Sequence, residues 1–347
     1  MKKFCVVLLI MMMIVSAAFA ADEITHQSYW GAEFAYYADS NEGQNADKGF
    51  EWPSYTPEEI PPGYQLPEGG LDKGRDLGSG WGAVELQLYA GHTVTIPFLQ
   101  GSGPLTKGNN IQLDARGYLA PVVAYIETRA TFTPIAFLNF QAGYSVGSGW
   151  NGFGFNGIGL NNDGTGVPLQ DPFAGAAMET WFSGTFQFDL AAVVPGEWNH
   201  VVTVATAKFQ NIYYTEAGKY DPWQWKADKG ENYNGTKFLG TYVLGYQMPL
   251  KLDTVGIMVE TFQYIDDVKD YSPMADGGWG SDFVRVQFGP LANITFNEKN
   301  NLTILLQMKT DKKYTDDTIY NNWFVNREYE STYVKFHRLA LAYKYKF

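Results

Sequence analysis

The sequence predicts an all-β fold, a transmembrane antiparallel up-and-down β-barrel of about 12 strands. Apolar and polar residues alternate with a period of two in many short segments, which is typical of strands with one apolar and one polar face. No run of about 18 apolar residues follows residue 20, so no helix in that part of the sequence could span a membrane. Long and short connections alternate between the segments, as in barrels with long outer loops and short periplasmic turns.

Residues 1–20 have the composition of a secretory signal peptide. Two lysines precede a short apolar run that ends in small residues, and the pattern predicts cleavage after Ala20. We therefore assign residues 1–20 to a signal peptide and residues 21–347 to the barrel. Cys5 is the only cysteine and would be removed with the signal peptide, which leaves no thiol for a disulfide, a metal site or a nucleophile.

The first strand and the loop after it show how the elements are assigned. Residues 29–38 place aromatic side chains such as Trp30 and Phe34 on one face, which predicts a strand. Residues 40–80 are acidic, rich in Pro and Gly and without a usable period, which predicts a long loop. Residues 178–190 again alternate phenylalanines with polar side chains and form a later strand.

Segments that predict strands follow one another along the whole chain, most with a period of two and residues 201–213 with a mixed pattern. In order, they cover residues 29–38, 81–98, 111–119, 122–132, 136–146, 178–190, 201–213, 237–248, 255–265, 282–296, 302–309 and 333–347. The connection at Ala120-Pro121 is short where a long outer loop is expected, and residues 81–98 are long enough for two strands. Sequence boundaries carry errors of about two to four residues, so counts of about 10 or 14 strands stay open.

Two neighbouring segments, residues 111–119 and 122–132, predict a hairpin with one charged face. If Ala120-Pro121 is a two-residue turn, Leu119 lies opposite Val122 and the apolar faces of both segments coincide. Long side chains of opposite charge then lie diagonally across the strand pair, within reach of each other. These pairs are Arg116 with Glu127 and Asp114 with Arg129.

The last segment, residues 333–347, reads YVKFHRLALAYKYKF. Its odd positions carry apolar or aromatic residues, namely Leu339, Leu341, Tyr343, Tyr345 and Phe347, and its later even positions are small or basic. This pattern resembles the C-terminal assembly signal of bacterial outer-membrane β-barrel proteins. The resemblance implies insertion by the barrel-assembly machinery into the outer membrane of a diderm bacterium. An edge strand of a soluble β-sandwich is the alternative, because strands with a period of two occur in both classes.

A second resemblance covers part of residues 95–162. Stretches such as TIPFLQGSGPLTKGNN and NGIGLNN are similar to poorly characterised outer-membrane proteins of spirochaete type. No reaction is attached to that family, so the resemblance supports only the compartment.

Composition limits the partners that the chain can have. The formal net charge is −12, which argues against nucleic acid and against an anionic lipid surface. Hydrophobic residues make up 45% and aromatic residues 16% of the chain, as expected for a barrel surrounded by outer-membrane lipid. The expected partners are therefore that lipid, the barrel-assembly machinery and small solutes.

If the apolar faces contact lipid, the charged residues on the opposite faces point into the barrel. The candidates for lining a pore are Glu33, Glu85, Asp114, Arg116, Glu127, Arg129, Glu179, Asp189, Arg285 and Arg338. Such residues are costly in a packed core, whereas a water-filled channel accommodates them and uses rings of charge to select solutes. We therefore interpret the chain as a porin-like pore for small solutes. The alternative is a barrel closed by a paired charge network, a non-conducting surface or structural protein whose outer loops bind partners.

The sequence predicts no enzyme, no cofactor and no metal site. Barrels of the outer-membrane phospholipase family need a His and a Ser two residues apart on a lipid-facing strand, with an Asn that orients the His. Only His26-Gln27-Ser28 has that spacing, and it precedes the first predicted strand. His200 and His337 lie near strand ends, where solvated side chains are expected, and no pair of histidines is placed for a metal.

Overall fold

The computed structural model describes residues 24–37, 84–152, 155–160, 172–219, 223–226, 232–270, 284–314, 319–321, 324–325 and 329–347. The assigned signal peptide at residues 1–20 and the long loop predicted at residues 40–80 lie outside the described residues. In the described part of the chain, no helix has the length and apolar character that a membrane crossing requires.

Twelve antiparallel strands close into one barrel. They are β1 (Thr25–Tyr36), β2 (Val84–Pro97), β3 (Asn110–Leu119), β4 (Val123–Ile135), β5 (Leu138–Gly149), β6 (Ala177–Asp189), β7 (His200–Tyr214), β8 (Gly235–Gln247), β9 (Leu252–Tyr264), β10 (Arg285–Asn297), β11 (Asn300–Tyr314) and β12 (Tyr329–Lys346). Each strand pairs with its neighbours in sequence, and β1 pairs with β12 to close the ring. The predicted fold class is confirmed, the strand count is 12, and the counts of 10 and 14 are wrong.

The strands present one face to the barrel interior and one to the outside. On β4, Ile126 is 58% exposed, whereas the adjacent Tyr125 is only 8% exposed, as expected for side chains on opposite sides of a pleated sheet. Large hydrophobic side chains cover the exterior of many strands, among them Trp30, Leu86, Leu88, Leu119, Ile126, Phe182, Phe186, Phe209, Tyr242, Leu244, Ile257 and Leu306. The period of two in the sequence therefore separates an apolar exterior from a polar interior.

The β3–β4 hairpin differs from the prediction in register. Leu119 pairs with Ala124 instead of Val122, so the connection is two residues longer than the predicted turn. Ala120 donates its backbone N–H to the carbonyl of Val123 over 2.9 Å inside this connection. A shift by two residues leaves every side chain on its predicted face, because faces alternate with a period of two. The predicted charge pairs consequently lie directly opposite each other rather than diagonally.

Strand β1 begins earlier than predicted, at Thr25 instead of residue 29. His26 and Ser28 therefore lie within the strand, and Ser28 pairs directly with His92 on β2. The prediction that these residues precede the first strand is wrong, because the local pattern of small and polar residues does not reveal the pairing with β2.

The ends of the barrel differ in their connections. At one end, called here the short-turn end, the connections β4–β5, β8–β9 and β10–β11 span only two to four residues. The opposite end is called the long-loop end, although its β3–β4 connection is also short. At the long-loop end, Ile158–Leu160 and Trp223–Trp225 form a separate two-stranded sheet. Trp223 and Trp225 belong to a buried cluster that also includes Tyr125 of β4 and Val122 of the β3–β4 connection. Loop segments thus pack into the mouth of the barrel at this end.

Candidate functional site in the barrel interior

The charged residues predicted to line a pore share the interior face. Directly paired residues on neighbouring antiparallel strands point to the same side of the sheet. The pairs that link them around the ring include Glu33 with Gln87, Arg116 with Glu127, Glu127 with Ser145, Ser145 with Glu179, and Arg338 with Gln307. The full set is Glu33, Glu85, Asp114, Arg116, Glu127, Arg129, Glu179, Asp189, Arg285 and Arg338. That they line a path for solutes stays a prediction.

Asp114 on β3 is the centre of the first interior network, the Asp114 network. Its carboxylate lies 2.6 Å from Nε of Arg116 and 3.1 Å from Nη2 of Arg129. Thr93 donates its hydroxyl to the same carboxylate over 2.6 Å, and Tyr29 donates its hydroxyl as well. Asp114 is only 8% exposed, so two guanidinium groups and two hydroxyls compensate for the burial of this anion.

Only one of the two predicted charge pairs forms as a close ion pair. Arg129 contacts Asp114 across the strand pair as expected, whereas Arg116 forms its ion pair with Asp114 on its own strand. Glu127 lies 3.8 Å from Nη1 of Arg129, a longer contact. Strand parity placed all four side chains on one face, but side-chain rotamers decide which partners meet.

Arg338 on β12 is the centre of the second network, the Arg338 network. Its Nε donates to Oε1 of Gln307 over 2.7 Å, and its Nη2 lies 3.7 Å from Oε2 of Glu260. Gln307 in turn donates to Glu260 over 2.6 Å and is fully buried. Tyr37 donates its hydroxyl to Glu85 over 2.9 Å and lies 3.4 Å from Nη1 of Arg338. The sequence prediction missed Glu260 and Gln307, although the period of two along β9 and β11 places both on the interior face.

A third group of interior contacts lies on β5, β6 and β7. Gln210 donates to Glu179 over 2.7 Å. The ammonium of Lys208 lies 4.7 Å from the ring centroid of Trp181, and the indole N–H of Trp181 donates to Gln141 over 3.3 Å. Aromatic and amide side chains thus complete the charged interior on this side of the ring.

Asp189 and Arg285 lie near the two ends of the barrel. Asp189 is the last residue of β6, where its carboxylate is 2.6 Å from Nδ1 of His200 and accepts the backbone N–H of Ala191. This contact closes the β6–β7 turn at the short-turn end. Arg285 is the first residue of β10 and lies at the long-loop end. The two residues therefore occupy opposite mouths of the barrel.

A cavity of about 590 Å³ lies next to the Arg338 network. Its charged lining consists of two anions, Glu33 and Glu85, and two cations, Lys226 and Arg338. Its apolar lining includes Ala35, Val123, Leu305, Ala340 and Ala342. The cavity thus places both signs of charge beside an apolar wall.

Lys226 reaches this cavity from a loop at the long-loop end. Its backbone has φ of 58°, and its N–H donates to the carbonyl of Gly157 over 2.8 Å. Its ammonium lies 3.9 Å from the ring centroid of Tyr125 on the interior face. The sequence predicted only a loop here, because a loop residue that enters the barrel carries no periodic signal.

The comparisons with known proteins found no protein-family model and no curated protein that matches the chain. Solved structures do show similarity. The KdgM porin is 7% identical, with 93% of this chain and 99% of that chain covered and a TM-score of 0.35. The beta domain of the Bordetella autotransporter BrkA is 10% identical, with 93% of this chain and 100% of that chain covered and a TM-score of 0.38.

The Salmonella typhi outer membrane phospholipase, solved as a dimer with bound calcium, is 7% identical, with 92% of this chain and 90% of that chain covered and a TM-score of 0.31. At such identities and TM-scores, none of these similarities supports an inference about what the chain binds or does. The function must be argued from the residues of the barrel itself.

The C-terminal residues of the predicted assembly signal lie on the exterior of β12. Trp30 of β1 lies 5.6 Å from Tyr343 and 6.2 Å from Tyr345 between ring centroids, and Tyr345 lies 5.3 Å from Phe347. Phe347 donates its backbone N–H to the carbonyl of Ser28 over 3.0 Å. Leu339 and Leu341 precede them on the same face. Their action as an assembly signal stays a prediction.

The exterior also brings two histidines together. Nδ1 of His26 on β1 lies 3.2 Å from Nε2 of His92 on β2. This contact was not predicted from the sequence, and the expectation that no pair of histidines is placed for a metal stays a prediction. The two residues are 66 positions apart in the sequence, so only the strand register reveals their proximity.

Proposed function

We propose that the chain is an outer-membrane β-barrel of a diderm bacterium and forms a pore for small solutes. Residues 1–20 act as a signal peptide, and the barrel-assembly machinery inserts residues 21–347 into lipid. Nucleic acid, metals and cofactors play no part in this proposal.

The exterior of the barrel supports a position in a membrane. Ile126, Leu244 and Ile257, on three different strands, are each more than half exposed. A protein in water rarely exposes such an extended apolar surface, whereas lipid accommodates it. In the closed ring each strand also pairs with a neighbour at both edges, the arrangement that a lipid environment requires.

The cavity beside the Arg338 network is the observation that favours a pore. A ring of 12 strands is wide enough to leave space inside, and here about 590 Å³ stays open between charged side chains. The loop segment around Lys226 narrows this space from the long-loop end. We therefore propose a narrow, selective pore rather than a wide one.

The alternative function, a non-conducting surface or structural protein with partner-binding outer loops, is favoured by one observation. The buried cluster around Trp223 and Trp225 fills part of the mouth at the long-loop end. If this cluster closes the barrel completely, the interior networks hold the wall together and no solute passes.

Single-channel recording in planar bilayers separates the two proposals. We compare the wild type with a variant carrying Trp223→Ala and Trp225→Ala, which empties much of the mouth while both barrel faces stay intact. A pore predicts discrete channels from the wild type and larger ones from the variant. Folded wild-type protein without channels would contradict the pore and leave the surface protein.

A second experiment tests the membrane assembly. We replace Tyr345 and Phe347 with Asp and compare this variant with Lys346→Gln, which changes the adjacent interior position. We expect the double variant to lose the folded, heat-modifiable band in the membrane fraction, whereas the control keeps it. Normal assembly of the double variant would show that these aromatic residues are not an assembly signal.

A further inference from the structure

Three side chains on the exterior of β1 and β2 form a chain of close polar contacts. The hydroxyl Oγ of Ser28 lies 2.9 Å from Nδ1 of His92. The opposite ring nitrogen of His92, Nε2, lies 3.2 Å from Nδ1 of His26. Because Ser28 and His92 are directly paired residues of neighbouring strands, the backbone register holds their side chains within contact distance.

These three residues face outward and are exposed. Ser28 and His26 share the face of Trp30, and the intervening Tyr29 points into the barrel toward Asp114. None of the interior networks uses the three side chains. A nucleophile, a base beside it and a third group that orients the base together form the arrangement that activates a serine in many unrelated folds.

We propose that Ser28, His92 and His26 form an acyl-transfer site on the exterior of the barrel that hydrolyses carboxylic esters of lipids. Ser28 is the nucleophile, His92 is the general base, and His26 is a positioning residue. The proposal rests on the membrane location proposed above and is independent of whether the barrel conducts.

The reaction uses one ester and one water molecule. Oγ of Ser28 attacks the ester carbonyl while Nδ1 of His92 takes the hydroxyl proton, and the Nε2–H of His92 is held by Nδ1 of His26. The intermediate then expels the alcohol, which receives the proton from His92, and an acyl-serine remains. Water attacks this ester with His92 again as base, which releases the carboxylic acid and restores the Ser28 hydroxyl.

The surroundings of the site determine the class of substrate. Trp30, Tyr343 and Tyr345 form an aromatic group on the same exterior face, and aromatic residues concentrate where the apolar part of a membrane meets the headgroups. Ser28 lies two residues beyond Trp30 toward the short-turn end. The ester groups of lipids lie at this same boundary, so the site fits an acyl ester of the leaflet at the short-turn end.

The expected turnover is slow. The three side chains supply a nucleophile and a base, but they do not supply a donor for the oxyanion, and the loss of one such donor typically costs about 10²- to 10³-fold in rate. Covalent modification of the serine is therefore a more sensitive readout than product release.

The test measures labelling of the full-length folded protein in detergent by a fluorophosphonate probe, followed by intact mass. We expect one phosphonyl adduct on the wild type and none on Ser28→Ala. Ser102→Ala, which removes an exposed hydroxyl of the β2–β3 turn, should label like the wild type. Labelling that persists in Ser28→Ala, or no labelling of folded wild type, overturns the proposal.

Two substitutions separate the base from the residue that orients it. His92→Asn keeps a polar atom at the position of Nδ1 but removes the base, so the labelling rate should fall by about 10²-fold or more. His26→Asn keeps an acceptor at the position of Nδ1, whereas His26→Leu removes it. We expect His26→Asn to label close to the wild-type rate and His26→Leu to label at least about 10-fold more slowly.

Release of hexanoic acid from dihexanoyl phosphatidylcholine micelles then tests the substrate class. Release by the wild type but not by Ser28→Ala supports a lipid ester, and labelling without release overturns the lipid assignment. Channel recordings on Ser28→Ala distinguish failure of this proposal from failure of the proposed pore, because the side chain of Ser28 lies on the exterior of the barrel. If Ser28→Ala loses labelling but keeps unchanged channels, the substitution affects only the exterior site and not the pore.

Discussion

The Asp114 network and the Arg338 network occupy the same interior face but are built differently. Asp114 is a buried anion that receives two guanidinium groups and two hydroxyls, all from the consecutive strands β1 to β4. Arg338 is a cation held by one glutamine at 2.7 Å and by longer contacts to Glu260 and Tyr37. It also lines the 590 Å³ cavity, whereas Asp114 does not. We infer from this comparison that the first network stabilises the wall, whereas in the proposed pore the second would face the solute.

The largest expected effect tests the structural role of the Asp114 network. Asp114→Asn keeps the shape of the side chain but leaves Arg116 and Arg129 without their carboxylate. Loss of one partner from a buried ion pair costs about 3 to 5 kcal/mol. Because the two arginine side chains are 16% and 25% exposed, we expect the lower end of this range, about 3 kcal/mol. Urea unfolding in detergent micelles measures this change.

Glu260→Gln is the matched variant in the Arg338 network, since it removes one negative charge and also preserves shape. Glu260 lies 3.7 Å from Arg338, and an amide can still accept the hydrogen bond of Gln307. Because the lost contact is long and Gln307 keeps its acceptor, we expect a smaller loss, about 1 kcal/mol. Equal losses for Asp114→Asn and Glu260→Gln would remove the distinction between a structural and a solute-facing network.

The next effect concerns selectivity. Arg338→Gln removes a positive charge from the cavity wall, so the local potential becomes more negative and the reversal potential under a salt gradient should move toward cation selectivity. Arg338→Lys keeps the charge and serves as the control. A shift of the same size from both variants would show that side-chain shape, and not charge, determines the change.

Strand parity explains why some members of both networks could be assigned to one face from the sequence. A side chain stays on its face when the register moves by two residues, so Asp114 and Arg129 share one face although the predicted β3–β4 turn was wrong. Arg338 lies on the same interior face by its pairing with Gln307. Parity does not determine side-chain rotamers. It therefore did not reveal that Arg116 forms its ion pair with Asp114 instead of Glu127.

Contacts between distant segments could not be predicted from the sequence. The contact of Ser28 with His92 depends on the register of two strands whose contacting residues are 64 positions apart in the sequence. The position of Lys226 depends on a loop that packs against Gly157, and irregular backbone has no period from which a position could be read. The exterior site and the narrow part of the cavity both arise from such contacts.

The smallest expected effect comes from Lys226, which reaches the cavity without belonging to the wall. Lys226→Met keeps the length of the side chain but removes the ammonium that lies 3.9 Å from the Tyr125 ring, a contact worth about 0.5 to 1 kcal/mol. Stability should therefore change by less than about 1 kcal/mol, well below the effect of Asp114→Asn.

The same substitution should also change ion permeability. Because the ammonium of Lys226 faces the cavity beside Arg338, anion permeability should fall, as for Arg338→Gln. The decrease should be smaller, since a loop side chain can move away from a passing ion. Reversal potentials and urea midpoints of the two single variants and the double variant measure both quantities. If Lys226→Met lowered the urea midpoint as much as Asp114→Asn, the loop around Lys226 would also stabilise the barrel wall. The distinction between a stabilising network and a solute-facing network would then be wrong.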